Sequence, residues 1–357
     1  MWYSSCKMDV TYSLLCVLFF RSVTVYAQNC VPTFQETEIG VEYDEKQATT
    51  LISGCLVGSK MTRKDIDLII SIKGQVIPSL NTGAISNVHH KFHLNIIHNE
   101  IDAIKKNAFR DLPRLYNISL EHNHLTSVEP YAFENLPSVK GIHLSNNNID
   151  VIKKHTFVNL PKLTDIFINN NKLKEFDQNW FASTPALEWL ALYDNQITSL
   201  TAAAFRDLRS LTTIAFNNNN LRYIDPEAFH GLNRLKELTL GGNELTSFEE
   251  VNLSHLSALY RLGIEHNKFT YSSPRFFNAV RDNMKELFIQ GNPLQCACVD
   301  ELVLWASNNG IELVWKCEGK EVYCLFPLSN ENDCVKRPTE QFSSSLIESF
   351  RSVCPIA

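Results

Sequence analysis

The chain has 357 residues, 44% hydrophobic and 20% charged, with a formal net charge of −6 and ten cysteines. That composition supports a sizeable buried core and excludes both a disordered tail and a disulfide-only mini-protein. Mild acidity without any block of like charge argues against nucleic acid as a partner and against a polybasic membrane arm.

The first segment stands apart from the rest. Lys7 precedes the apolar stretch Val10 to Phe20, and Val25-Tyr26-Ala27 offers small residues at the −3 and −1 positions of a cleavage site. This pattern predicts a secretory signal peptide over residues 1–27, cut before Gln28. Its apolar run falls short of the roughly 20 residues that a spanning helix needs. Cleavage removes Lys7, Arg21 and Asp9, which leaves a net charge of −7 and eight of the ten cysteines. An even cysteine count in an exported chain predicts disulfides. No later stretch is long and apolar enough to span a bilayer, so a secreted, extracellular product is expected.

Residues 28–66 form an N-terminal cap whose two cysteines, Cys30 and Cys55, are expected to bond and tie the first strands to the first coil. From 67 to 294 the chain repeats. Asn recurs at Asn99, Asn123, Asn147, Asn171, Asn195, Asn219, Asn243 and Asn267 with a step of 24, then at Asn292 after a step of 25. Each sits in the frame L-x-x-L-x-L-x-x-N-x-L, as in Leu115, Ile118, Leu120, Asn123 and Leu125. One step earlier, Ile70, Ile72, Gln75 and Ile77 make a degenerate unit with Gln for Asn, ten units in all. The fourth and sixth frame residues alternate with polar ones, so they point inward from short strands stacked in parallel about 4.8 Å apart. Ten residues after the Asn, Phe109, Phe133, Phe157, Phe181, Phe205 and Phe229 line up as a spine. The Asn side chains can satisfy backbone groups of adjacent coils with both amide donors and the carbonyl, which assigns the column to structure. Lys91 for the first Leu, Leu253 for the spine Phe, Ser272 and Thr184 should each loosen packing locally. The extra residue before Asn292, with Ser272-Ser273-Pro274, predicts a less regular outer turn in the ninth coil.

The frame is the leucine-rich repeat signature. Residues 295–357, with Cys296-Ala-Cys298, Cys324-Leu-Phe-Pro327 and Cys354, resemble the cysteine-flanked C-terminal cap of extracellular leucine-rich repeat proteins. The resemblance implies an α/β solenoid: a right-handed leucine-rich repeat horseshoe with a parallel β-sheet on its concave face and disulfide-stapled caps over both ends. It also implies the pairs Cys296–Cys324 and Cys298–Cys354, with Cys317–Cys334 left as an added pair. These six cysteines allow several connectivities, and a zinc site built from Cys296, Cys298, Cys317 and Cys324 is the alternative. With a sparse N-terminal cap in place of a dense four-cysteine one, residues 28 to 354 resemble insect leucine-rich immune proteins of the short, coil-less type.

In such coils the third, fifth, seventh and eighth frame positions face water on the strand side. The fifth and sixth full units put Phe167, Trp189 and Tyr193 there, with Asp165, Glu188 and Asp194 around them. Exposed Tyr and Trp bury much area in an interface while losing little rotamer freedom, which makes this group the ligand-binding candidate. The alternative is that the rings pack flat on one another across strands. Nearer the N-terminus lie His93, His98, His122 and His143, with Glu121 among them. His98 and His122 share one column and admit three readings: a metal pair, a pH sensor, or solvated surface. Two sequons, Asn117-Ile-Ser119 and Asn252-Leu-Ser254, are glycosylation candidates. Asn252 falls on an outer turn, whereas a glycan on Asn117 would mask the histidine end and direct ligands toward Phe167, Trp189 and Tyr193. The chain has no G-x-S-x-G, no H-E-x-x-H and no phosphate loop, so neither a catalytic residue nor a cofactor is assigned. The expected function is non-enzymatic recognition of a protein or microbial-surface ligand through the concave face, and the resemblance implies innate immunity. A soluble adhesion or signalling ligand, a matrix component and an enzyme inhibitor are the alternatives, and homo- or hetero-oligomerisation stays open.

Overall fold

A computed structural model describes residues 30–43, 45–58, 67–315, 324–328, 332–344 and 347. The stretch read as a signal peptide lies outside the described residues, as do Cys317 and Cys354. The chain forms two compact units, residues 1–173 with 179–187 and residues 174–178 with 188–357.

The first unit opens on an antiparallel hairpin, Phe34–Tyr43 with Lys46–Gly54, whose first strand continues antiparallel onto Asp67–Lys73. From there the strands run parallel through Lys91–Ile97, Leu115–Ser119, Gly141–His143 and Asp165–Phe167. The register follows the 24-residue step, Ile118 opposite Ile142 and Ile142 opposite Ile166. These three side chains are fully buried, as the period-two alternation requires. The hairpin covers the free edge of the first parallel strand. Cys30–Cys55, with Cα atoms 6.7 Å apart, and a bond from the Val31 N–H to the Thr82 carbonyl at 2.9 Å fasten its lead-in to the turns. Lys91 turns outward onto Asp67 at 2.8 Å, and the fully buried Phe92 pairs with Leu115 in its place through a local register shift. The spine rings Phe109, Phe133, Phe157 and Phe181 stack with centroids 5.5, 5.6 and 5.3 Å apart.

The second unit carries the parallel strands Trp189–Ala191, Thr213–Ala215, Glu237–Thr239, Arg261–Gly263 and Glu286–Phe288. A further parallel strand, Glu312–Val314, pairs with Glu286–Phe288 and comes from the C-terminal segment, where no leucine frame announces it. It occupies the edge that the last coil would otherwise leave open. The turn sides of the coils are built from two-residue bridges and short 3-10 turns. Among the described residues the α-helices are Pro274–Phe277 and Cys296–Asn309. The short one is the irregular ninth turn: the Ser273 hydroxyl accepts the Arg275 N–H, proline fills the first turn, and the extra residue is absorbed while Phe277 stays buried.

The asparagine column is a hydrogen-bonded ladder. The Asn147 amide donates to the carbonyls of Leu120, Leu144 and Ser145 at 3.0, 3.0 and 3.2 Å, and its Oδ1 accepts the Leu125 N–H at 3.1 Å. Asn219 repeats this with Leu192, Phe216, Asn217 and Ile197 in the second unit. Each side chain therefore closes its own turn and clamps the preceding coil.

The C-terminal cap corrects two expected disulfides. Cys296 pairs with Cys324, but Cys298 pairs with Cys334 rather than Cys354, their Cα atoms 4.6 Å apart, so Cys334 is not the partner of Cys317. The reason is a buried polar clamp beside the helix start. Gln295 donates to the Val335 carbonyl at 2.8 Å, and the Arg337 guanidinium donates to Gln295 Oε1 and to the Asp333 carbonyl. That holds residues 333–337 against the first helical turn and brings Cys334 to Cys298 within disulfide reach. With Cys296, Cys298 and Cys324 all bonded, the four-cysteine zinc reading falls.

Candidate binding face

The strand face of the first unit carries several rings among polar side chains. Phe167 lies beside His143, centroids 4.7 Å apart and tilted by 35°. His93 and Tyr116 approach to 5.3 Å. The Tyr116 ring is flanked by the Lys91 and Lys140 ammonium groups, each 5.1 Å from its centroid, at cation–π range. Burial holds the His143 imidazole below its ordinary value, opposed by the carboxylates of Glu121 and Asp165. Burial likewise lowers His93, with the Lys91 charge adding to it. Asp165 accepts the Thr164 hydroxyl at 2.8 Å. Asn117 is half-buried, its Oδ1 accepting the Gly141 N–H at 3.1 Å. A Cβ at Gly141 would stand 3.0 Å from that oxygen, so glycine is what lets the Asn117 side chain lie along the strand.

In the second unit the face changes character. Trp189 begins it, 45% exposed, with Tyr193 half-buried. Thus Phe167 and Asp165 belong to one unit, and Trp189, Tyr193 and Asp194 to the other. Beyond Trp189 the fifth frame position shrinks to Ala191, Ala215, Thr239 and Gly263, and the seventh reaches Gly241. Glu265 exploits the bare backbone: a Cβ on Gly241 would overlap its carboxylate, and one on Gly263 would come within 2.8 Å of Oε2. That Oε2 is buried without a hydrogen-bond partner, and burial pushes the carboxyl above its ordinary range. Nearby in the third frame column, Arg261 bridges Glu237 at 3.4 Å and Glu286 at 2.6 Å. An open groove of about 650 Å³ alongside is lined by Arg261, Lys236, Glu188, Thr212 and Tyr260. An unpaired, desolvated acceptor costs stability. Sequence reasoning missed Glu265; glycines interrupting strand columns were the available signal, because they mark close approach of another group to the backbone.

The eighth frame column has a backbone explanation. His98, His122, Asn146, Asn170, Asp194, Asn218, Gly242, His266 and Gly291 all hold φ between 50° and 70°. Asn, Asp, His and Gly are the residues that tolerate this left-handed region. His98 and His122 stack there with centroids 4.3 Å apart. Among the described residues no third histidine, cysteine or carboxylate joins them at ligating distance. Asp194 sits in the same column, and its Oδ1 accepts from the Asn218 amide at 2.9 Å.

Stacked 24-residue coils with an Asn ladder and an open strand face define a repeat solenoid of the kind that presents its sheet as a recognition surface. The leucine rich repeat family matches the chain over residues 69–125, 113–173, 161–221 and 209–269. The chain belongs to that family. Similar solved structures include TLR13 in complex with the RNA ssRNA13, 26% identical over 61% of this chain and 34% of that one, with a TM-score of 0.54. A leucine-rich repeat protein of Leptospira interrogans is 25% identical over 62% and 54% of the respective chains, TM-score 0.53. Mouse RP105, solved in complex with MD-1, shares the fold at 23% identity over 78% and 45%, TM-score 0.59. The chain thus spans a third to a half of the length of the first two. No curated protein matches it. Among the described residues no helix is long and apolar enough to cross a membrane.

Proposed function

We propose that the strand face of the second unit docks a protein or microbial-surface ligand outside the cell, with Trp189, Tyr193 and Asp194 as anchors; Phe167 and Asp165 are candidate anchors of the first unit taken by itself. The observation that carries this reading is Trp189. Its indole is 45% exposed on a strand whose following neighbours present Thr213 and Glu237 in the same column. An exposed ring of that size gains most from a partner that covers it. The net charge of −6 disfavours a polyphosphate ligand. The role in innate immunity is supported by the resemblance to insect leucine-rich immune proteins, and secretion by the leader-like residues 1–27 and the disulfides. A glycan on Asn117 would leave Trp189 as the open anchor.

The test is to purify the protein under non-reducing conditions from extracellular fluid, with Trp189→Ala in parallel, and identify what each retains. A defence protein or microbial component held by the wild type and lost by the variant supports the reading. Retention of matrix or receptor fragments instead would replace immunity with adhesion. Equal loss of folding and binding in the variant would assign the indole to packing.

A further inference from the structure

On the turn side of the second unit, remote in sequence register from the strand face, three side chains converge that no motif announces. Glu227 and His230 flank the buried spine residue Phe229, and His255 ends the 3-10 turn Leu253–His255 of the next coil. A regular 24-residue step would set Ser254 beneath His230. The turn is instead re-wound: Leu253 replaces the spine Phe, and Asn252 caps the 3-10 turn by accepting the Ser254 N–H at 3.2 Å and its hydroxyl at 2.6 Å. That shift by one residue brings His255 under His230.

The three ligating atoms form a nearly equilateral triangle. His230 Nδ1 lies 3.3 Å from His255 Nε2, His255 Nε2 lies 3.1 Å from Glu227 Oε2, and His230 Nδ1 lies 3.3 Å from that same oxygen. Protons do not satisfy this arrangement. If both nitrogens carry hydrogen to serve the carboxylate, the two N–H groups confront each other; if one is bare, the carboxylate loses a donor. The Asn252 amide also stands 3.3 Å from His255 Nε2, as a donor that calls for a bare nitrogen. A cation that takes one lone pair from each atom resolves all three edges at once. Tetrahedral bonds of about 2.0–2.1 Å place neighbouring ligand atoms about 3.3 Å apart, which is the spacing present.

We infer that Glu227, His230 and His255 bind a divalent transition-metal ion such as zinc, with the fourth position open to water. Two imidazoles and one carboxylate favour zinc, copper, nickel or cobalt over calcium and magnesium, which prefer all-oxygen shells. Asn252 supplies the outer support by donating to Glu227 Oε1 at 3.1 Å, which leaves Oε2 to face the ion. Glu227 and His230 are about half exposed, 48% and 56% in their side chains, so an ion has direct access from solvent.

The experiment titrates zinc into the metal-stripped full-length secreted protein by calorimetry, and cobalt by visible absorption. One equivalent of zinc is expected. His230→Ala and His255→Ala should each weaken it at least about tenfold, and Glu227→Gln comparably. Asn252→Gln should weaken it by about tenfold as an outer-shell change. Cobalt should give tetrahedral d–d bands in the wild type that vanish in His255→Ala, while His98→Ala changes neither readout. Unfolding midpoints without metal should match for the Glu227, His230 and His255 variants, while Asn252→Gln should be lower by the loss of its turn cap, and if His255→Ala unfolds, Glu227→Gln carries the comparison. Absence of stoichiometric zinc binding by the wild type, or binding retained in both histidine variants, overturns the site and leaves a hydrogen-bonded turn.

Discussion

The two units share one repeat frame and one asparagine ladder, yet their strand faces differ in kind. The first presents close-set rings among lysines: Tyr116 between Lys91 and Lys140, and His143 tilted against Phe167. The second, past Trp189, presents small residues, the Glu237–Arg261–Glu286 bridge and the buried Glu265 carboxyl. The inward positions are constrained alike because every coil must pack on its neighbours, while outward positions are free to diverge. Their pH dependence diverges too. His143 is held below 6.5, so the stability of its neutral form is complete above about pH 6.5 and lost as pH falls through the folded value. Glu265 is held above 4.5, so its contribution is complete below about pH 4.5 and lost as pH rises through the folded value.

The largest expected effect is on recognition by the second face. Trp189→Ala should cost partner binding about 2 kcal/mol or more while lowering folding stability by clearly less than that, as titration and denaturation together would show. The shared ladder should be comparably sensitive in stability. Asn171→Ala should lose about 1–3 kcal/mol by stranding the Ile149 N–H and removing the inter-coil bond to the Leu144 carbonyl, which keeps only Asn147, and an unchanged urea midpoint would break the equivalence of the coils. Gly242→Ala follows, at about 1–2 kcal/mol, since its φ is 66° and the new methyl would overlap Asn218 Oδ1. Asn146→Gly, in the same column at φ 57°, should stay within about 1 kcal/mol of wild type. Smallest is Glu265→Gln, which removes a desolvated charge and should stabilise by about 1 kcal/mol near neutral pH, with the gain fading toward pH 4.5. A variant that gains nothing at neutral pH would place a donor on Glu265 and erase the contrast between the faces.

Much of the candidate face lay in plain view. Trp189, Tyr193 and Phe167 stand at outward frame positions as alternation demands, but membership of two units follows from packing and not from spacing. Asp194, read as part of the ligand group, is equally a residue suited to a left-handed turn, which a residue-type column shows only once its φ is known.

The sequence alone determined the coil: the 24-residue step, the inward leucines, the Phe spine and the Asn ladder. Those are contacts between equivalent residues of adjacent repeats, so a period in the chain is a contact in space. Tertiary structure decided the rest. The Cys298–Cys334 pair depends on the Gln295–Arg337 clamp, and the Glu312–Val314 strand on an open edge with no frame of its own. The buried Glu265 depends on glycines in neighbouring strands, and the Glu227–His230–His255 triangle on a turn displaced by one residue. Each joins residues at separations that break the period, where no repeating pattern carries the information and only the packed chain brings the groups together.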